Sequence, residues 1–287
     1  MESLRIDHRT EYRYRTPVTF GLHRAMLRPR EGHDVHIEKL ALQVEPSAQV
    51  RWLRDIYGNS IAVIKFLDPS DRLIISSSAE VSHFEEELFD FEVDPSCDEF
   101  PFQYNAEEQT ELVPYRLCSY PHDAAAVRQW LRQIYSPGER VRTLELLDRL
   151  NTHIFETFQY ENREAAGVQL PCETLATRKG SCRDFAVLMM EAARHWGFAA
   201  RFVSGYIQMA EGQHGATHAW SEIYVPGTGW RGFDPTNNKQ AGYEHISTAV
   251  AREQEQAMPL TGFWEGPSDA FERMEISVQV FRLPAAE

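Results

Sequence analysis

The chain has 287 residues, of which 43% are hydrophobic and 25% are charged, and its formal net charge is −14. This composition is typical of a soluble globular protein, and the length allows one very large domain or two ordinary ones. The negative charge argues against a nucleic-acid partner, because phosphate binding depends on clustered Lys and Arg.

The sequence also carries no membrane or export signal that we can identify. No apolar run approaches the roughly 20 residues that a membrane-spanning helix needs. The first eight residues are partly charged and lack the apolar segment of a secretory signal. We therefore expect no membrane association and a cytoplasmic location.

The first 95 residues have the pattern of an antiparallel β domain. Short runs rich in β-branched and aromatic residues alternate with turn sequences, and no helical period is present. This pattern predicts a β-sandwich or an open barrel over residues 1–95. The predicted strands are 4–8, 12–14, 18–27, 37–44, 50–56, 61–67 and 73–81.

The densest acidic stretch follows these strands. Residues 85–99 contain eight acidic side chains, and apolar and acidic residues alternate strictly over 89–94. The alternation predicts a half-buried strand with one solvated face. The alternative is a cation-binding or docking surface.

The chain then changes character. Residues 96–121 are interrupted by prolines and are predicted to be a linker. Apolar residues at helical spacing predict helices over 124–135 and 141–154, with a short helix over 173–179 and a strand over 199–209. We assign residues 122–287 to a second domain. Residues 275–281 alternate as a strand, which either joins the sheet of the second domain or returns to the first.

Cys182 stands at the start of a predicted buried helix that ends at Gly197. Ser181 is the expected N-cap, and Asp184 completes an approximate capping box. The unpaired N–H groups and the positive pole at a helix start favour a thiolate over a thiol. None of the four cysteines lies in a Cys-x-x-Cys motif, and Cys97, Cys118 and Cys172 are expected to be ordinary thiols.

His218 and Asp234 lie on two predicted strands, 217–224 and 229–236. If a three-residue loop pairs Val225 with Gly229, Asp234 opposes Trp220 and lies diagonal to His218 on the same face, within reach of a side-chain hydrogen bond. A two-residue loop would instead put His218 and Asp234 on opposite faces. The distance between these two side chains therefore depends on the register of the hairpin.

Four sequence blocks resemble the transglutaminase-like proteins of bacteria. They are 180–186 (Gly-Ser-Cys-Arg-Asp-Phe-Ala), 200–206, 217–222 and 230–236, in the same order over about 60 residues. The first part of the chain, from Leu4 to about Phe91, is similar to the β-rich domain that often precedes this core. The resemblance implies a papain-like α+β core and a catalytic triad of Cys182, His218 and Asp234.

The implied chemistry is acyl transfer. Cys182 attacks a carbonyl carbon as a thiolate, His218 pairs with the thiolate and later protonates the leaving amine, and Asp234 sets the imidazole tautomer. The Cys182 N–H is a candidate donor to the oxyanion. The resemblance suggests Tyr160 or its neighbour Gln159 as a second donor.

Other residues near the motif raise separate questions. The carboxylate of Asp184 would oppose a nearby thiolate, so we expect it to pair with Arg183, Arg201 or a backbone donor. Trp220 beside His218 is either a core residue or a wall of the cleft.

A metal site is also possible on spacing alone. His214 and His218 have the His-x-x-x-His spacing of a zinc helix, but Gly215 stands where a metalloprotease has its general base, and a strand pattern follows. We therefore expect neither a metal nor another cofactor.

Two functions remain open at this point. The first is a thiol-dependent enzyme acting on amide bonds, with hydrolysis of a peptide, isopeptide or amide preferred over transfer to an amine, as implied by similar bacterial proteins proposed to be cysteine proteases. The second is a non-catalytic binding module that docks a protein partner through its β-rich domain. The presence of cysteine, histidine and aspartate together in the four blocks favours the enzyme.

Overall fold

A computed structural model of the protein describes residues 2–84, 92–163, 165–208 and 216–283. Residues 89–91 of the predicted acidic strand and His214 lie outside these residues, and residues 92–94 are described but do not form a strand. In the described parts of the chain, no helix is both long enough and apolar enough to cross a membrane.

Strands form most of the N-terminal part and return at the end of the chain. In chain order they are β1 (Glu2–Phe20), β2 (His23–Ala25), β3 (Val35–Glu45), β4 (Ala48–Arg54), β5 (Ser60–Phe66), β6 (Ser70–His83), β7 (Glu99–Phe100), β8 (Val141–Arg142), β9 (Gln159–Tyr160), β10 (Lys179–Gly180), β11 (Ala199–Ile207), β12 (Ala216–Val225), β13 (Gly229–Asp234), β14 (Lys239–Gln240), β15 (His245–Ala251), β16 (Leu260–Thr261), β17 (Trp264–Glu265) and β18 (Phe271–Arg282).

The helices lie between these two groups of strands. They are α1 (Ala106–Glu111), α2 (Val113–Arg116), α3 (Ala124–Leu131), α4 (Thr143–Thr157), α5 (Pro171–Thr177) and α6 (Cys182–His195), with short 3₁₀ turns at Pro95–Cys97, Pro121–Asp123 and Gln254–Ala257. The predicted helices are present, although residues 141–142 pair as a strand with β7 before α4 begins.

The N-terminal strands form two antiparallel sheets. In the first, β1 lies between β6 and β18, and β3 is the outer strand beside β6. The second has the order β16, β2, β5, β4. Buried side chains such as Phe20, Ile64 and Leu73 pack between the two sheets in one apolar cluster. The predicted β-sandwich or open barrel and the α+β class are confirmed.

The last strand settles an alternative that the sequence left open. β18 pairs antiparallel with β1 from Leu4 to Tyr14, so the C-terminus returns to the N-terminal sheet. β16 and β17 also pair with β2 and β1. The sequence-based second domain, 122–287, includes these strands, but their pairing places them in the N-terminal sheets.

A third sheet contains strands from three of the four motif blocks. Its strands are arranged β14, β13, β12, β11, β15, all antiparallel. Helix α6 packs on β11 and β12 and contributes Phe185, Leu188 and Met189 to the largest apolar core. Burial of these side chains holds the start of α6 against the middle of the sheet.

The segment predicted as a linker is attached to this core. The Tyr104 hydroxyl donates to the Tyr224 carbonyl at 2.9 Å and accepts from the Ala199 N–H at 3.0 Å. The Ser119 N–H donates to the buried carboxylate of Glu191. Residues 96–121 therefore contribute buried contacts to β11 and β12 of the third sheet and to α6.

Gly205 allows two neighbouring strands to approach closely. A Cβ at this position would lie 2.2 Å from the Ile246 carbonyl oxygen and 2.8 Å from a ring carbon of Trp220. We expect Gly205→Ala to lower the free energy of unfolding by roughly 1–3 kcal/mol, the usual cost of overpacking. Urea unfolding measures the change, and Ser247→Ala, opposite Gly205 on β15, is the control. Equal stability of the Gly205 variant and the wild type would contradict the assignment.

Candidate active site

The helix that carries Cys182 starts as its sequence predicts. Ser181 is the N-cap, and the Asp184 carboxylate accepts from the Ser181 N–H at 2.8 Å and from its hydroxyl at 2.7 Å. The helix ends before Gly197, which has a φ of 92°. Cys182 is the first helical residue, so its N–H belongs to the unpaired group at the positive end of α6.

The charge of the Asp184 carboxylate is paired with Arg163, a residue that the sequence analysis did not consider. Arg163 donates to both carboxylate oxygens, at 3.0 and 3.1 Å, and the Gln169 N–H adds a bond at 2.8 Å. The predicted backbone donor is present, but the proposed partners Arg183 and Arg201 are wrong. Arg183 donates to main-chain carbonyls, and Arg201 pairs with Glu222.

This pairing resolves the conflict between Asp184 and a nearby thiolate. Burial opposes ionisation of Asp184, but hydrogen bonds from Arg163, Gln169 and Ser181 outweigh it and lower its pKa. The carboxylate is fully buried and its charge is matched by Arg163. Asp184 thus stabilises the start of α6 without presenting an unpaired negative charge to Cys182.

The hairpin that carries His218 and Asp234 has the three-residue loop. Val225 pairs with Gly229, and Ser221 pairs with Phe233. This register places Asp234 opposite Trp220 and on the face of β12 that His218 occupies. His218 Nε2 lies 2.7 Å from Asp234 Oδ2, and both side chains are buried. The predicted contact between His218 and Asp234 is confirmed.

His218 also contacts Cys182. Its Nε2 is used by Asp234, which leaves Nδ1 for the hydrogen bond with the thiol. Burial disfavours the charged imidazole, but the hydrogen bonds to Asp234 and Cys182 outweigh it and raise the pKa of His218 to about 10. The imidazole therefore carries a proton at neutral pH, and Cys182 is only partly buried.

Asp234 accepts more hydrogen bonds than the one from His218. The Thr236 N–H donates to Oδ1 at 3.0 Å, the Asn237 amide donates to Oδ2 at 2.7 Å, and His245 Nε2 lies 3.0 Å from Oδ2. Burial opposes ionisation of Asp234, but the bonds from His218 and His245 outweigh it and hold its pKa far below the usual range. Asp234 is a carboxylate at every pH near neutrality.

Sequence reasoning missed Asn237 and His245. Asn237 lies three residues after Asp234 in a tight turn, and an Asn in a polar turn is too common to be singled out. His245 lies on β15, a strand that was not predicted. No local motif connects either residue to the cysteine.

The other three candidate residues, Tyr160, Gln159 and Trp220, take different positions. Tyr160 is about half exposed on β9 and pairs with Gly180, two residues before Cys182. Burial, and secondarily the charge of Cys182, raise the pKa of Tyr160. Gln159, its exposed neighbour on the same strand, pairs with Lys179. Trp220 is buried and stacks on the His218 ring at 6.1 Å, so it supports the imidazole from within the core.

Two groups of side chains in the described residues are spaced closely enough to hold a metal ion. One is Cys118, Glu191 and His195, and the other is His218, Asp234 and His245. Glu191 is already paired with the buried Arg194, whose positive charge opposes a cation there. The hydrogen bonds of Asp234 account for the second group without an ion.

The fold and the site together define a family of thiol-dependent enzymes, in which a cysteine at a helix start faces a histidine on an antiparallel sheet. Residues 128–235 match the model of the transglutaminase-like superfamily, and residues 4–82 match that of the bacterial transglutaminase-like N-terminal region. The chain belongs to the bacterial transglutaminase-like proteins.

Individual relatives agree with this assignment. An uncharacterized protein of Mycobacterium tuberculosis is 28% identical over 278 residues, covering 90% of this chain and 86% of its own length. One from Mycobacterium leprae is 23% identical, covering 99% and 100%. The crystal structure of a candidate cysteine protease from Cytophaga hutchinsonii superposes with a TM-score of 0.74 at 18% identity, over 100% of this chain and 92% of that one. That last likeness shows the fold.

The positive charge of protonated His218 can be tested through its effect on the reactivity of Cys182. Because the pKa of His218 is raised to about 10, the positive charge that attracts a thiolate is present through neutral pH and is lost as the pH rises through about 10. We expect His218→Ala to slow iodoacetamide labelling of Cys182 about tenfold at pH 7, with the difference vanishing above pH 10. Peptide mapping by mass spectrometry measures each cysteine separately.

The matched control is His122→Ala, because His122 is exposed on the 3₁₀ turn before α3. This variant should label like the wild type. Equal labelling of Cys182 in the wild type and in His218→Ala across the whole pH range would show that His218 does not act on the thiol.

Proposed function

We propose that the protein is a cysteine-dependent hydrolase of amide bonds, with Cys182, His218 and Asp234 as its catalytic triad. The observation that carries the proposal is the unbroken chain of contacts from the Cys182 thiol through the His218 ring to the buried Asp234 carboxylate. A thiol, an imidazole and a carboxylate in this order are the arrangement that acyl transfer requires.

The first half of the reaction forms a thioester. The Cys182 sulfur attacks the carbonyl carbon of the substrate as a thiolate, and the carbonyl oxygen becomes an oxyanion. The tetrahedral intermediate collapses, His218 gives its proton to the leaving nitrogen, and the carbon–nitrogen bond breaks. Asp234 holds the imidazole in the tautomer that can deliver this proton.

The second half of the reaction restores the enzyme. The neutral His218 takes a proton from water, whose oxygen attacks the thioester carbon. The carbon–sulfur bond then breaks, a carboxylic acid leaves, and the thiolate and imidazolium re-form. A primary amine in place of water would give transfer instead of hydrolysis. Similar bacterial proteins are proposed to be proteases, and this supports water as the acceptor.

The acceptor and the substrate class can be tested together. We expect the wild type to cleave members of a library of quenched peptides and to lose this activity in Cys182→Ala. Adding a fluorescent primary amine with glutamine peptides tests transfer, and incorporation that exceeds release of free acid would replace hydrolysis by transfer. A wild type that neither cleaves nor transfers, while its Cys182 labels no faster than the other cysteines, would refute the enzyme.

Tyr160 is the side chain that we assign as the second oxyanion donor, beside the Cys182 N–H. Its hydroxyl belongs to a half-exposed ring on β9, and its pKa responds to Cys182. We expect Tyr160→Phe to lower kcat about 10²–10³-fold with little change in KM, because the donor acts on charge that develops in the transition state. Steady-state kinetics on a cleaved peptide measure the effect.

Gln159→Leu is the matched control, because Gln159 is the adjacent residue on the same short strand. It should retain kcat within a few fold. A large loss in Gln159→Leu together with normal turnover in Tyr160→Phe would transfer the role to Gln159.

One feature supports the second candidate function, a binding module. The outer strands β3 and β4 border an open groove of about 620 Å³ lined by Leu40, Leu42, Val50, Trp52 and Arg54, among others. Exposed apolar side chains next to free strand edges are typical of a peptide-docking surface. An enzyme could use the same groove to hold its substrate, so the groove does not weigh against catalysis.

A further inference from the structure

A second imidazole, that of His245, lies within hydrogen-bond distance of the Asp234 carboxylate and is not a member of the proposed triad. We propose that His245 is a positioning residue that donates a hydrogen bond to Asp234 and thereby fixes the orientation in which Asp234 holds His218 toward Cys182. This inference rests on the proposed triad and adds to it a fourth side chain, which is buried and contributed by β15.

The contacts of Asp234 show what His245 adds. Oδ2 is shared by His218 Nε2 at 2.7 Å, by the Asn237 amide at 2.7 Å and by His245 Nε2 at 3.0 Å. Oδ1 accepts from the Thr236 N–H at 3.0 Å. Thr236 and Asn237 belong to the same turn as Asp234, so His245 on β15 is the partner that, besides His218 on β12, ties the carboxylate to another strand.

The other ring nitrogen of His245 indicates its tautomer. The Gly242 N–H donates to His245 Nδ1 over a long 3.4 Å. Because a nitrogen that accepts a hydrogen bond carries no proton, Nε2 holds the proton of the neutral ring and donates it to Asp234. In this arrangement His245 cannot take the proton that His218 uses in the reaction.

Packing against Trp220 fixes the position of the ring. The His245 ring meets Trp220 edge to face with ring centres 5.1 Å apart, and Trp220 also stacks on His218 with ring centres 6.1 Å apart. The side chain of His245 is 2% exposed. The indole therefore holds both imidazoles at set positions beside the carboxylate.

A β-bulge is what turns His245 toward Asp234. Ser204 pairs with Ala249, but the next residue, Gly205, pairs with Ser247, so Thr248 is an extra residue on β15. Its hydroxyl donates to the Ser204 carbonyl at 3.1 Å, and its side chain is buried.

Without this extra residue the pairing from Ser204 and Ala249 would continue unshifted, and His245 would pair with Gln208. It instead pairs with Ile207, which lies on the same face of β11 as Gly205, the partner of His218. A shift of one residue exchanges the faces of a strand. The irregular pairing thus brings His245 to the face that carries His218 and Asp234.

The test compares His245→Leu with His245→Gln. Leu removes the donor and keeps an apolar side chain against Trp220, whereas Gln can place an N–H near the position of Nε2. We expect His245→Leu to lower kcat and the rate of Cys182 alkylation at pH 7 by about 10- to 100-fold, the range for a hydrogen bond to a charged group. KM should stay within about twofold, and His245→Gln should recover most of the loss.

A structural role alone would give a different result. In that case His245→Leu would lower the melting temperature, but the pH profile of Cys182 alkylation in the folded protein would match that of the wild type, which would overturn the proposal. If His218→Ala leaves the rate of Cys182 alkylation unchanged, the proposed function fails. If that dependence is present and His245→Leu behaves as the wild type, only the role of His245 fails.

The wild-type protein supplies a readout that does not depend on the folding of a variant. In spectra of protein with ¹⁵N-labelled histidine, His245 should appear as a neutral ring with its proton on Nε2. Assignment of the resonance uses His245→Gln. A neutral His245 with its proton on Nδ1 would overturn the proposed hydrogen bond, since Nε2 would then have no proton to donate to Asp234.

Discussion

The buried carboxylate of Asp234 is the constraint on which the site depends. An ionised carboxylate inside a protein is stable only when hydrogen-bond donors replace the water that it has lost. Asp234 is fully buried and receives four such donors, from His218, Thr236, Asn237 and His245. These donors keep it charged, and the charge in turn keeps the proton on His218. In the proposed triad, the charge on His218 that would favour a Cys182 thiolate therefore depends on the hydrogen bonds that one buried acid receives.

Asp184, the second buried acid near the thiol, has different partners from Asp234. Asp184 is held by Arg163 and by main-chain donors, so its charge is matched before it can act on Cys182. Within the described parts of the chain, the hydrogen-bond partners of Asp234 include no Arg or Lys, and its charge is available to an imidazole. Two carboxylates within one site thus differ in function because one is paired with a permanent cation and the other with a group that exchanges its proton.

Local sequence patterns were sufficient for a large part of this site. The cap at Ser181 and the helical spacing after Cys182 are local signals, and the register of the hairpin between Val225 and Gly229 was one of two defined alternatives. Arg163 could not be predicted, because its contact with Asp184 depends on how a loop folds back over 21 residues. The contact of His245 with Asp234 could not be predicted either, because the face on which His245 lies is set by a β-bulge that no residue pattern indicates.

The N-terminal part of the chain also supports the candidate active site, because its residues hydrogen-bond to the strand that carries His245. The buried amide of Asn59, in the turn before β5, donates to the Val250 carbonyl at 2.7 Å and accepts from the Val250 N–H at 2.9 Å. The Arg30 N–H donates to the Ser247 carbonyl at 2.8 Å. These three bonds hold β15, the strand that begins with His245. Because β18 also closes on β1, the chain returns to the N-terminal sheet after completing the site. The position of β15, and with it the hydrogen bond from His245 to Asp234, therefore depends on residues that precede Cys182 by more than 100 positions.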